Sequence, residues 1–357
     1  METIRFDDFI RLNRGFDLPD YKIEKGEYPV ITSTNIKAFH KEYKVEGPMV
    51  ITGRSGSLGK VQYIEGRCWP LNTSLYVKDY KGNFPRYVYY FLQMMHLEQY
   101  NAGAGVPTLN QNHLHSLKIK IHEKKLQQKI ASILSSYDRL IENNTRRIRL
   151  LEQMAENLYK EWFVRFRFPE HEKVEMVNGL PKGWKVERIK ECVKRLPFGR
   201  TYKAKELSQD GEVIVIDQST SDFLGFHNNT PDHHATFNSP IILFGDHSCK
   251  FCLMTRDFSL GENIIPFISK DTKQIDNYYL YFATHKLIVT EEYKRHWGRL
   301  SSMKILIPTI NIQQKFNKLI IKNEKMKKLL FIQNQHLTRQ RDLLLPRLMS
   351  GKLEVKS

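Results

Sequence analysis

The sequence contains no long apolar run and very little cysteine. No stretch of eighteen or more consecutive apolar residues occurs, which argues against a transmembrane helix. Residues 1–12 alternate charged with apolar side chains and do not resemble a secretory signal peptide. Only four cysteines occur in 357 residues, and they lack the spacing of a disulfide framework. These features predict a protein of the reduced cytoplasm.

Motifs of nucleic-acid enzymes are missing as well. A DNA methyltransferase needs a nucleotide-cofactor loop and an Asn/Asp-Pro-Pro-aromatic tetrapeptide, and neither is present. Residues 53–60 resemble a phosphate-binding P-loop, but Gly53 is one residue too far from Gly59-Lys60. No Ser or Thr follows Lys60, and residues 61–64 predict a strand instead of a helix. We interpret this segment as a hairpin turn, or as a glycine-rich loop that lets Arg54 approach DNA.

Two possible metal patterns are incomplete. Cys249 and Cys252 have zinc-like spacing with histidines nearby, but no second pair follows at a defined interval. They also lie in an apparent strand, whereas a redox pair would precede a helix. Asp232 lies 60 residues from the Glu292–Lys294 segment, so a nuclease pattern there arises easily by accident in a basic protein. We expect no catalytic residue and no metal site.

What the sequence does have is positive charge and an ordinary share of hydrophobic residues. The formal net charge is +17, and hydrophobic residues make up 41% of the chain. This hydrophobic share and length allow two domains with their own cores. The charge favours a polyanionic partner such as nucleic acid, because neutralised phosphates release counterions. A protein that is basic without such a partner is the alternative.

The chain also contains an internal sequence repeat. Shifted by 186 residues, Leu114–Leu158 aligns with Leu300–Leu344 without a gap, and ten of the 45 pairs are identical. Upstream, with small insertions, residues 29–35 match 214–220 and Asn72 matches Asn263. The aromatic positions Tyr87, Tyr90 and Phe91 fall on Tyr278, Tyr281 and Phe282. The sequence therefore predicts two copies of one mixed α/β unit, each ending in a long helix.

The order of elements is the same in both copies. Two strands flank a turn in residues 49–66 and again in residues 240–255. A short aromatic helix follows at 84–96 and at 277–288, and then a strand at 117–121 and at 303–307. The long helix comes last.

Heptad spacing marks the long helices. In the first, about 124–163, one apolar row runs from Ile130 through Leu151 to Leu158, a second contains Ile133, Leu140 and Met154, and a third runs from Leu134 to Trp162. The second helix has corresponding rows from Phe316 to Leu344 and through Leu319 and Met326. Polar residues interrupt both seams and can fix their register. We predict an intramolecular antiparallel pair that separates the two units about a pseudo-two-fold axis, with a homodimeric coiled coil as the alternative.

An aromatic segment and a turn-rich segment lie between the two copies. Residues 161–169 contain a tryptophan and three phenylalanines, and residues 178–184 have the turn residues of a boundary. We interpret the aromatic residues as packing where the helix meets the second unit, with partner binding as the alternative. The resulting division is 1–122 for the first domain, 123–168 for the first helix and join, 169–308 for the second domain, and 309–357 for the second helix and tail.

These motifs resemble the specificity subunit of Type I restriction–modification systems. The Gly53–Gly59 turn is similar to a turn in that family's target-recognition domains, and residues 106–121 resemble the end of such a domain. Residues 162–184 resemble the family's join, and residues 341–352 its characteristic ending. The second unit departs from the pattern, because residues 244–249 lack the full glycine-rich turn.

The resemblance implies an α/β fold with two target-recognition domains separated by two long antiparallel helices. Each domain would read one half of a bipartite double-stranded DNA target, and helix length would set the gap between the halves. It also implies two methyltransferase subunits that use S-adenosylmethionine. Endonuclease or translocase subunits that use ATP and Mg²⁺ would complete the assembly. This chain would bind no cofactor.

Within that framework we predict DNA contacts from polar residues in the loops of both units. The predicted DNA-binding residues are Ser33, Thr34, Asn35, Arg54, Ser55, Lys60, Asn72 and Thr73 in the first unit and Gln218, Ser219, Thr220, His247, Lys250 and Asn263 in the second. The predicted partner-binding residues are Trp162, Phe163, Leu344 and Leu348. Two alternatives are a stand-alone DNA-acting enzyme and a basic scaffold for RNA or protein.

Overall fold

The chain forms two compact units in a computed structural model that describes residues 1–289 and 295–355. Unit 1 comprises Met1–Asn144 and Gln333–Ser357, and unit 2 comprises Thr145–Ile332. The boundary between the units therefore runs through both long helices, whereas the sequence-based division assigned each helix to a segment of its own. Residues Glu292–Lys294 of the weighed nuclease pattern, and the last two residues of the tail, lie outside the described residues.

The first copy contains nine strands and three short helices. Its strands are β1 (Glu2–Arg5), β2 (Arg11–Arg14), β3 (Lys25–Ile31), β4 (Ile36–His40), β5 (Met49–Gly53), β6 (Val61–Ile64), β7 (Trp69–Pro70), β8 (Ser74–Asp79) and β9 (Lys118–Ile121). Its short helices are α1 (Phe6–Phe9), α2 (Pro85–Met94) and α3 (Gln111–Ser116). The long helix α4 (Lys124–Tyr159) follows and ends in a π-helical turn, Lys160–Val164.

The second copy repeats these elements and adds a hairpin at its start. Its strands are β10 (Met176–Val177), β11 (Leu180–Pro181), β12 (Lys185–Arg188), β13 (Val193–Arg195), β14 (Val213–Ile216), β15 (Gly225–His227), β16 (Ile241–Gly245), β17 (Phe251–Met254), β18 (Phe258–Leu260), β19 (Ile264–Ser269) and β20 (Lys304–Ile307). Its helices are α5 (Ile189–Cys192), α6 (Asn277–Thr284), α7 (Trp297–Ser302) and the long α8 (Ile310–Met349).

The sheet topology of the two copies is the same strand for strand. Unit 1 has a four-stranded sheet in the order β2-β8-β5-β6, a three-stranded sheet in the order β4-β3-β7, and the pair β1-β9. Unit 2 has β13-β19-β16-β17, β15-β14-β18 and β12-β20. In both three-stranded sheets the middle strand is antiparallel to one neighbour and parallel to the other. The predicted duplication of a mixed α/β unit is confirmed.

Continuous apolar runs form the central strands because both faces of these strands are covered. Every residue of Met49–Gly53 is buried, as is every residue of Ile241–Gly245. The short aromatic helices cover these sheets with fully buried rings, among them Tyr87 and Tyr279. Pro85 begins α2, where the missing amide hydrogen of proline costs nothing.

A buried glutamine joins each long helix to its own unit. The Gln127 side chain is fully buried, and its amide donates to Asn83 Oδ1 and to the His122 carbonyl, both at 2.8 Å. Its carbonyl accepts from the backbone N–H of Phe84, which precedes α2, at 3.2 Å. The identical Gln-Gln-Lys runs of the sequence repeat therefore have a structural cause, because Gln127 satisfies backbone groups that would otherwise be buried without partners.

Gln313 repeats this arrangement in unit 2. Its amide donates to the carbonyls of Gln274 at 2.9 Å and Pro308 at 2.8 Å, and its own carbonyl accepts from the N–H of Asp276 at 2.8 Å. Asp276 precedes α6 as Phe84 precedes α2. Each long helix is thus fixed by hydrogen bonds to the aromatic helix of the same copy.

Within each unit, the α4 and α8 segments run antiparallel. In unit 1, Asn144 Nδ2 donates to Gln333 Oε1 at 3.1 Å, and further along the pair Arg341 binds Asp138 at 2.8 Å. Asn144 is a polar seam residue that is 5% exposed, so its hydrogen bonds across the pair favour one register. The predicted intramolecular pair is confirmed, and the homodimeric alternative is not needed to bury these seams.

Unit 2 shows the same direction of pairing. Lys327 of α8 binds Glu152 of α4 at 3.0 Å. The ring centroids of Trp162 and Phe316 lie 6.0 Å apart further along the two segments. No helix in the described ranges is both long and apolar enough to cross a membrane.

One predicted heptad row in each long helix is wrong. Leu140 and Met154 are 48% and 59% exposed, and Leu319 and Met326 of the second helix are both 41% exposed. The buried face instead combines the row of Ile130 with the row that lies four residues further on. The physical reason is that a helix of 3.6 residues per turn rotates the i+3 row away from the seam when the i+4 row is buried.

The aromatic segment of unit 2 forms a packed cluster. Phe163 lies 4.8 Å from Tyr279 and 5.1 Å from Phe316, and Phe168 stacks on Trp184 at 5.3 Å, measured between ring centroids. The interpretation of these residues as packing between helix and domain is confirmed.

Candidate nucleic-acid interface

In unit 1, three loops that are distant in sequence meet at one edge of the sheets. The backbone N–H groups of Arg54 and Ser55 donate to the carbonyl of Thr73 at 2.8 and 3.1 Å. The side chain of Gln62 donates to the Thr32 carbonyl at 2.9 Å, and Ser74 Oγ donates to Ile31 at 3.2 Å. The β3–β4 loop, the β5–β6 turn and the residues before β8 therefore form one cluster, which we call the unit 1 loop cluster (residues 32–35, 54–60 and 72–73).

The glycine-rich turn of this cluster is a β-hairpin, as the sequence predicted. Thr52 pairs with Val61 in the antiparallel ladder between β5 and β6. Gly56 and Gly59 have φ of 85° and 86°, which residues with a Cβ rarely adopt. A Cβ on Gly53 would lie 2.1 Å from the Ser57 carbonyl oxygen. The turn is therefore tight and depends on glycine at these places.

The loop of residues 101–109, which was not part of the predicted site, supports the glycine-rich turn. The N–H of Gly56 donates to the Pro107 carbonyl at 2.9 Å, and the N–H of Leu109 donates to the Arg54 carbonyl at 2.8 Å. Ser55 and Thr108 form an isolated antiparallel bridge. Residues 101–109 carry two glycines and a proline in their sequence, and that composition was the available signal for a shaped loop at the site.

The predicted DNA-binding residues of unit 1 differ in exposure. Asn35 and Lys60 are exposed, and the other six predicted residues are half-buried. The Arg54 guanidinium donates to the Asn72 carbonyl at 3.2 Å, which holds its charge at the loop surface. The Asn72 amide donates to Asp17, a residue that the sequence-based prediction missed. Arg14 pairs with the same carboxylate at 3.3 Å.

Unit 2 builds the same loop cluster from residues 217–220, 246–250 and 263. The N–H of His247 donates to Gln218 Oε1 at 3.2 Å, and the N–H of Asp246 donates to the Asn263 carbonyl at 2.9 Å. Lys250 Nζ donates to the backbone carbonyls of Asp217 and Ser221. Thr220 and Asn263 are exposed, and the other four predicted residues of this unit are half-buried. The two predicted residue sets are thus each brought together within their own unit, but which of them contact DNA remains a prediction.

The strand register changes one predicted equivalence. Gly53 pairs with Ser74, and Gly245 pairs with Ile264 at the end of the corresponding strands. Asn263 therefore stands at the position of Thr73, one residue away from the Asn72 with which the sequence match paired it. The ladder fixes this register because one residue of slip would turn the buried faces of the strands outward.

The two clusters carry opposite charges at one equivalent position. Asp246 follows Gly245 as Arg54 follows Gly53. Each donates its N–H to the equivalent loop carbonyl of its own unit, Asn263 for Asp246 and Thr73 for Arg54. The Asp246 carboxylate accepts from the N–H groups of His296 and Trp297 at 3.1 and 2.8 Å, so it caps α7. Arg54 makes no such cap, because Asn110 caps α3 with its own side chain. The second unit therefore lacks the arginine at this turn.

Cationic side chains in unit 2 lie beside the turn instead. Arg195 and Arg295 line a cleft of about 430 Å³ together with Asp246, Glu262 and Asn263. Arg195 also lies 5.6 Å from the centre of the Trp297 ring. Sequence reasoning missed both arginines, since their place beside the loop cluster depends on the fold.

The residues predicted to bind partner subunits lie mostly inside the chain's own cores. Trp162, Phe163 and Leu348 are 8%, 3% and 2% exposed, and Leu344 is half-buried. A partner could reach these places only through neighbouring exposed side chains. Their assignment to partner binding remains a prediction.

The described residues contain no group of three or more His, Cys, Asp or Glu side chains that could hold a metal ion. Cys249 has φ of 55° in the β16–β17 turn, while Cys252 lies in β17. Burial raises the pKa of the Cys252 thiol, which disfavours the thiolate that metal binding and redox chemistry need. His233 stacks on Phe258 at 4.8 Å, which is a packing role.

Comparison with known proteins agrees with the duplicated fold. The family model described as the Type I restriction modification DNA specificity domain matches residues 1–153 and 181–336. The specificity subunit of the MjaIX Type I restriction enzyme of Methanocaldococcus jannaschii is 27% identical over 394 residues, covering 95% of this chain and 86% of that protein. The specificity subunit of the putative MjaX enzyme of the same organism is 22% identical, covering 84% of this chain and 76% of that protein.

A solved structure shows the same fold. The S subunit of a Type I restriction–modification system from M. genitalium superposes with a TM-score of 0.64 and 16% identity, covering 99% of this chain and 96% of that one. The repeated matches of the family model coincide with the two copies found in the sequence and in the sheets. The chain belongs to the Type I restriction–modification DNA specificity family, and its role is that of a non-catalytic specificity subunit.

Proposed function

We propose that unit 1 and unit 2 each read one half of a bipartite double-stranded DNA target. The observation that carries this proposal is the duplicated loop cluster, in which one backbone scaffold presents different side chains. Arg54 in unit 1 has Asp246 as its equivalent, and Thr73 has Asn263. Two readers that share a scaffold and differ in contact residues suit two half-sites of different sequence.

The chemistry of recognition follows from the exposed groups. Lys60 and neighbouring basic residues would neutralise DNA phosphates, and the net charge of +17 would add to this attraction. Arg54 and Asn35 are suited to base edges in unit 1, because arginine can bind guanine and asparagine can bind adenine through two hydrogen bonds. In unit 2 the exposed Thr220 and Asn263, with the half-buried Gln218, have the corresponding role.

We further propose that the long helices set the number of unread bases between the half-sites. α4 contains 36 residues and α8 contains 40, which gives lengths of roughly 54 and 60 Å at 1.5 Å per residue. The helices are fixed to their units by Gln127 and Gln313. A rigid attachment is what a spacer of defined length requires.

Partner subunits supply the chemistry in this proposal. Two methyltransferase subunits would use S-adenosylmethionine, and endonuclease or translocase subunits would use ATP and Mg²⁺, all in the cytoplasm. The long helices leave apolar side chains exposed, including Leu343 at 55% in unit 1 and Leu329 at 63% in unit 2. Exposed apolar rows of this kind support docking of other subunits.

The direct test is to co-express the chain with its methyltransferase subunit and map the methylated bases. We expect a split motif whose halves are separated by a constant number of unspecified bases. A continuous motif, or no methylation that depends on this chain, would refute the proposal. DNA modification or cleavage by the purified chain alone would favour a stand-alone enzyme, and equal affinity for scrambled DNA would favour a general scaffold.

Arg54→Ala tests the unit 1 loop cluster. We expect weaker DNA binding by the methyltransferase complex and a salt slope lower by about one. Arg67→Ala is a matched control, because Arg67 lies beyond the far end of β6, away from the turn, and pairs with Glu46 at 3.2 Å. Equal effects of the two substitutions would show that Arg54 contributes only general charge.

A further inference from the structure

The two units differ at the place where the chain leaves each long helix. In unit 2 this place is filled by aromatic rings: Phe168 stacks on Trp184, Phe163 contacts Phe316 edge-to-face, and Phe166 meets Trp184 at 5.5 Å. Phe168 is 2% exposed and Phe316 is fully buried. The segment after α4 therefore folds back and fills the space beside α8.

The internal repeat identifies the same place in unit 1. Glu2 pairs with Ile121 as Lys185 pairs with Ile307, so the residues before these strands are equivalent. The N–H of Leu353 donates to the backbone carbonyl of Arg347 at 3.0 Å. In the same way, the N–H of Arg167 donates to the backbone carbonyl of Glu161 at 2.7 Å. The equivalents of Trp184, Phe316, Phe163 and Trp162 are Met1, Ile130, Met349 and Leu348.

Smaller side chains leave a hollow at this place in unit 1. A cavity of about 710 Å³ is lined by Met1, Leu126, Ile130, Leu353, Glu354 and Val355, among others. We call it the unit 1 hollow. Leu353 and Glu354 stand where unit 2 carries Arg167 and the buried ring of Phe168. Among the described residues, no Phe, Tyr or Trp ring lines the unit 1 hollow, and its one ring is the imidazole of His122.

We propose that the unit 1 hollow receives an aromatic side chain from an acidic segment of a methyltransferase subunit. This inference rests on the proposed function, since it names the place where that partner docks. Unit 2 shows that an aromatic ring fits between these two helix segments and the first strand of the copy. The inserted ring would cover the half-buried Leu126 and pack against the buried Ile130 beneath it.

The charges near the unit 1 hollow indicate which side chains the partner segment carries beside the inserted ring. Lys120, Lys124 and Lys125 are exposed on β9 and the start of α4. Lys120 also lines an adjoining cavity of about 320 Å³ that shares Met1 with the hollow. Acidic residues beside the inserted ring would complement these lysines. In unit 2 the filling segment contains one pair of this kind, because Glu170, two residues after Phe168, pairs with Lys315 at 3.4 Å.

Filling the hollow from within the chain tests the proposal. Ile130→Phe supplies the ring that Phe316 supplies in unit 2, and Leu353→Trp supplies a ring from a residue that is 42% exposed, so folding is not at risk there. In the full chain titrated with purified methyltransferase, we expect each variant to weaken binding at least tenfold, with its melting temperature preserved. Val177→Phe is the control, because it adds the same ring to an exposed position of unit 2.

A cross-linking experiment identifies the occupant. With p-benzoylphenylalanine in place of Val355, irradiation of the assembled complex is expected to link this position to a methyltransferase peptide that contains an aromatic residue and acidic residues. Unchanged methyltransferase affinity in both filled variants would overturn the proposal, as would a cross-link only to DNA or to another copy of this chain. If the unaltered chain did not bind methyltransferase at all, the proposed function would fail first, which is a distinguishable result.

Discussion

Replacing Gln127 with leucine should destabilise unit 1 without opening a cavity. Leucine is close to glutamine in volume but can neither donate nor accept a hydrogen bond. The substitution would leave the N–H of Phe84, the carbonyl of His122 and Asn83 Oδ1 without this partner in a place that is fully buried. Each unsatisfied buried group costs about 1–3 kcal/mol, and these costs are not additive.

We therefore expect Gln127→Leu to lower the free energy of unfolding of unit 1 by roughly 2–5 kcal/mol. Urea denaturation followed by hydrogen exchange and mass spectrometry measures this, because exchange assigns the loss of protection to β9, α2 and the start of α4. Unit 2 should keep its protection, since Gln313 makes the corresponding bonds there.

Gln128→Ala is the matched control, because Gln128 is the exposed neighbour of Gln127. Its effect should stay within about 0.5 kcal/mol. If Gln127→Leu changed stability no more than this control, the glutamine would not be what fixes the long helix to its unit, and the rigid spacer would lose its physical basis.

Three further changes test the loop clusters and the cores. Gly53→Ala should weaken DNA binding by the methyltransferase complex about tenfold, because the added Cβ would lie 2.1 Å from the Ser57 carbonyl oxygen and distort the turn. Gly66→Ala is the control, since a Cβ there would meet nothing within 4 Å, and this variant should bind DNA as the unaltered chain does. Asp246→Ala should lower the free energy of unfolding of unit 2 by about 1–2 kcal/mol through loss of the α7 cap. Asp246→Asn keeps an acceptor oxygen and should lower it less. Equal losses of stability in urea denaturation of the two variants would contradict the capping role. Burial lowers the pKa of His115, whose neutral Nε2 accepts from the N–H of Leu12 at 3.0 Å, so its contribution to stability is present above the unfolded pKa of about 6.5 and is lost as pH falls below that value. Urea midpoints at pH 7.5 and 5.5 check this. His115→Gln is expected to reduce the difference without abolishing it, because burial also lowers the pKa of His122, His227 and His285. His96→Gln, at an exposed position, is the control.

The duplication made much of the fold predictable from sequence. Two copies of each element strengthened weak local patterns, so the hairpin around Gly53–Gly59 and the aromatic helix around Tyr87 could be placed. The same comparison grouped loop residues that the sheets do bring together within each unit, such as Arg54 with Thr73. Matching runs of residues reports on shared backbone, because the backbone is what both copies keep.

Side-chain roles were less accessible. Asp246 and Arg54 share a backbone position, but whether a carboxylate faces a helix end or the loop surface depends on which residue caps α3 or α7, and that is a tertiary question. The heptad rows of Leu140 and Met154 were assigned to the seam because spacing of three and of four residues cannot be separated from one short pattern. Asn263 was misaligned by one residue because an insertion in a loop leaves no mark on the ladder register until the partner strand is known.

The division of the two units through both long helices has a consequence for biosynthesis. Unit 2 is one continuous stretch, Thr145–Ile332, whereas unit 1 takes its core residues Leu348 and Met349 from the far end of the sequence. On the ribosome, every residue of unit 2 emerges before the last helical turns that unit 1 needs. The nascent first copy must therefore wait with part of its apolar surface uncovered, and a ribosome that stalls after residue 332 would release a chain whose second unit can be complete and whose first unit cannot.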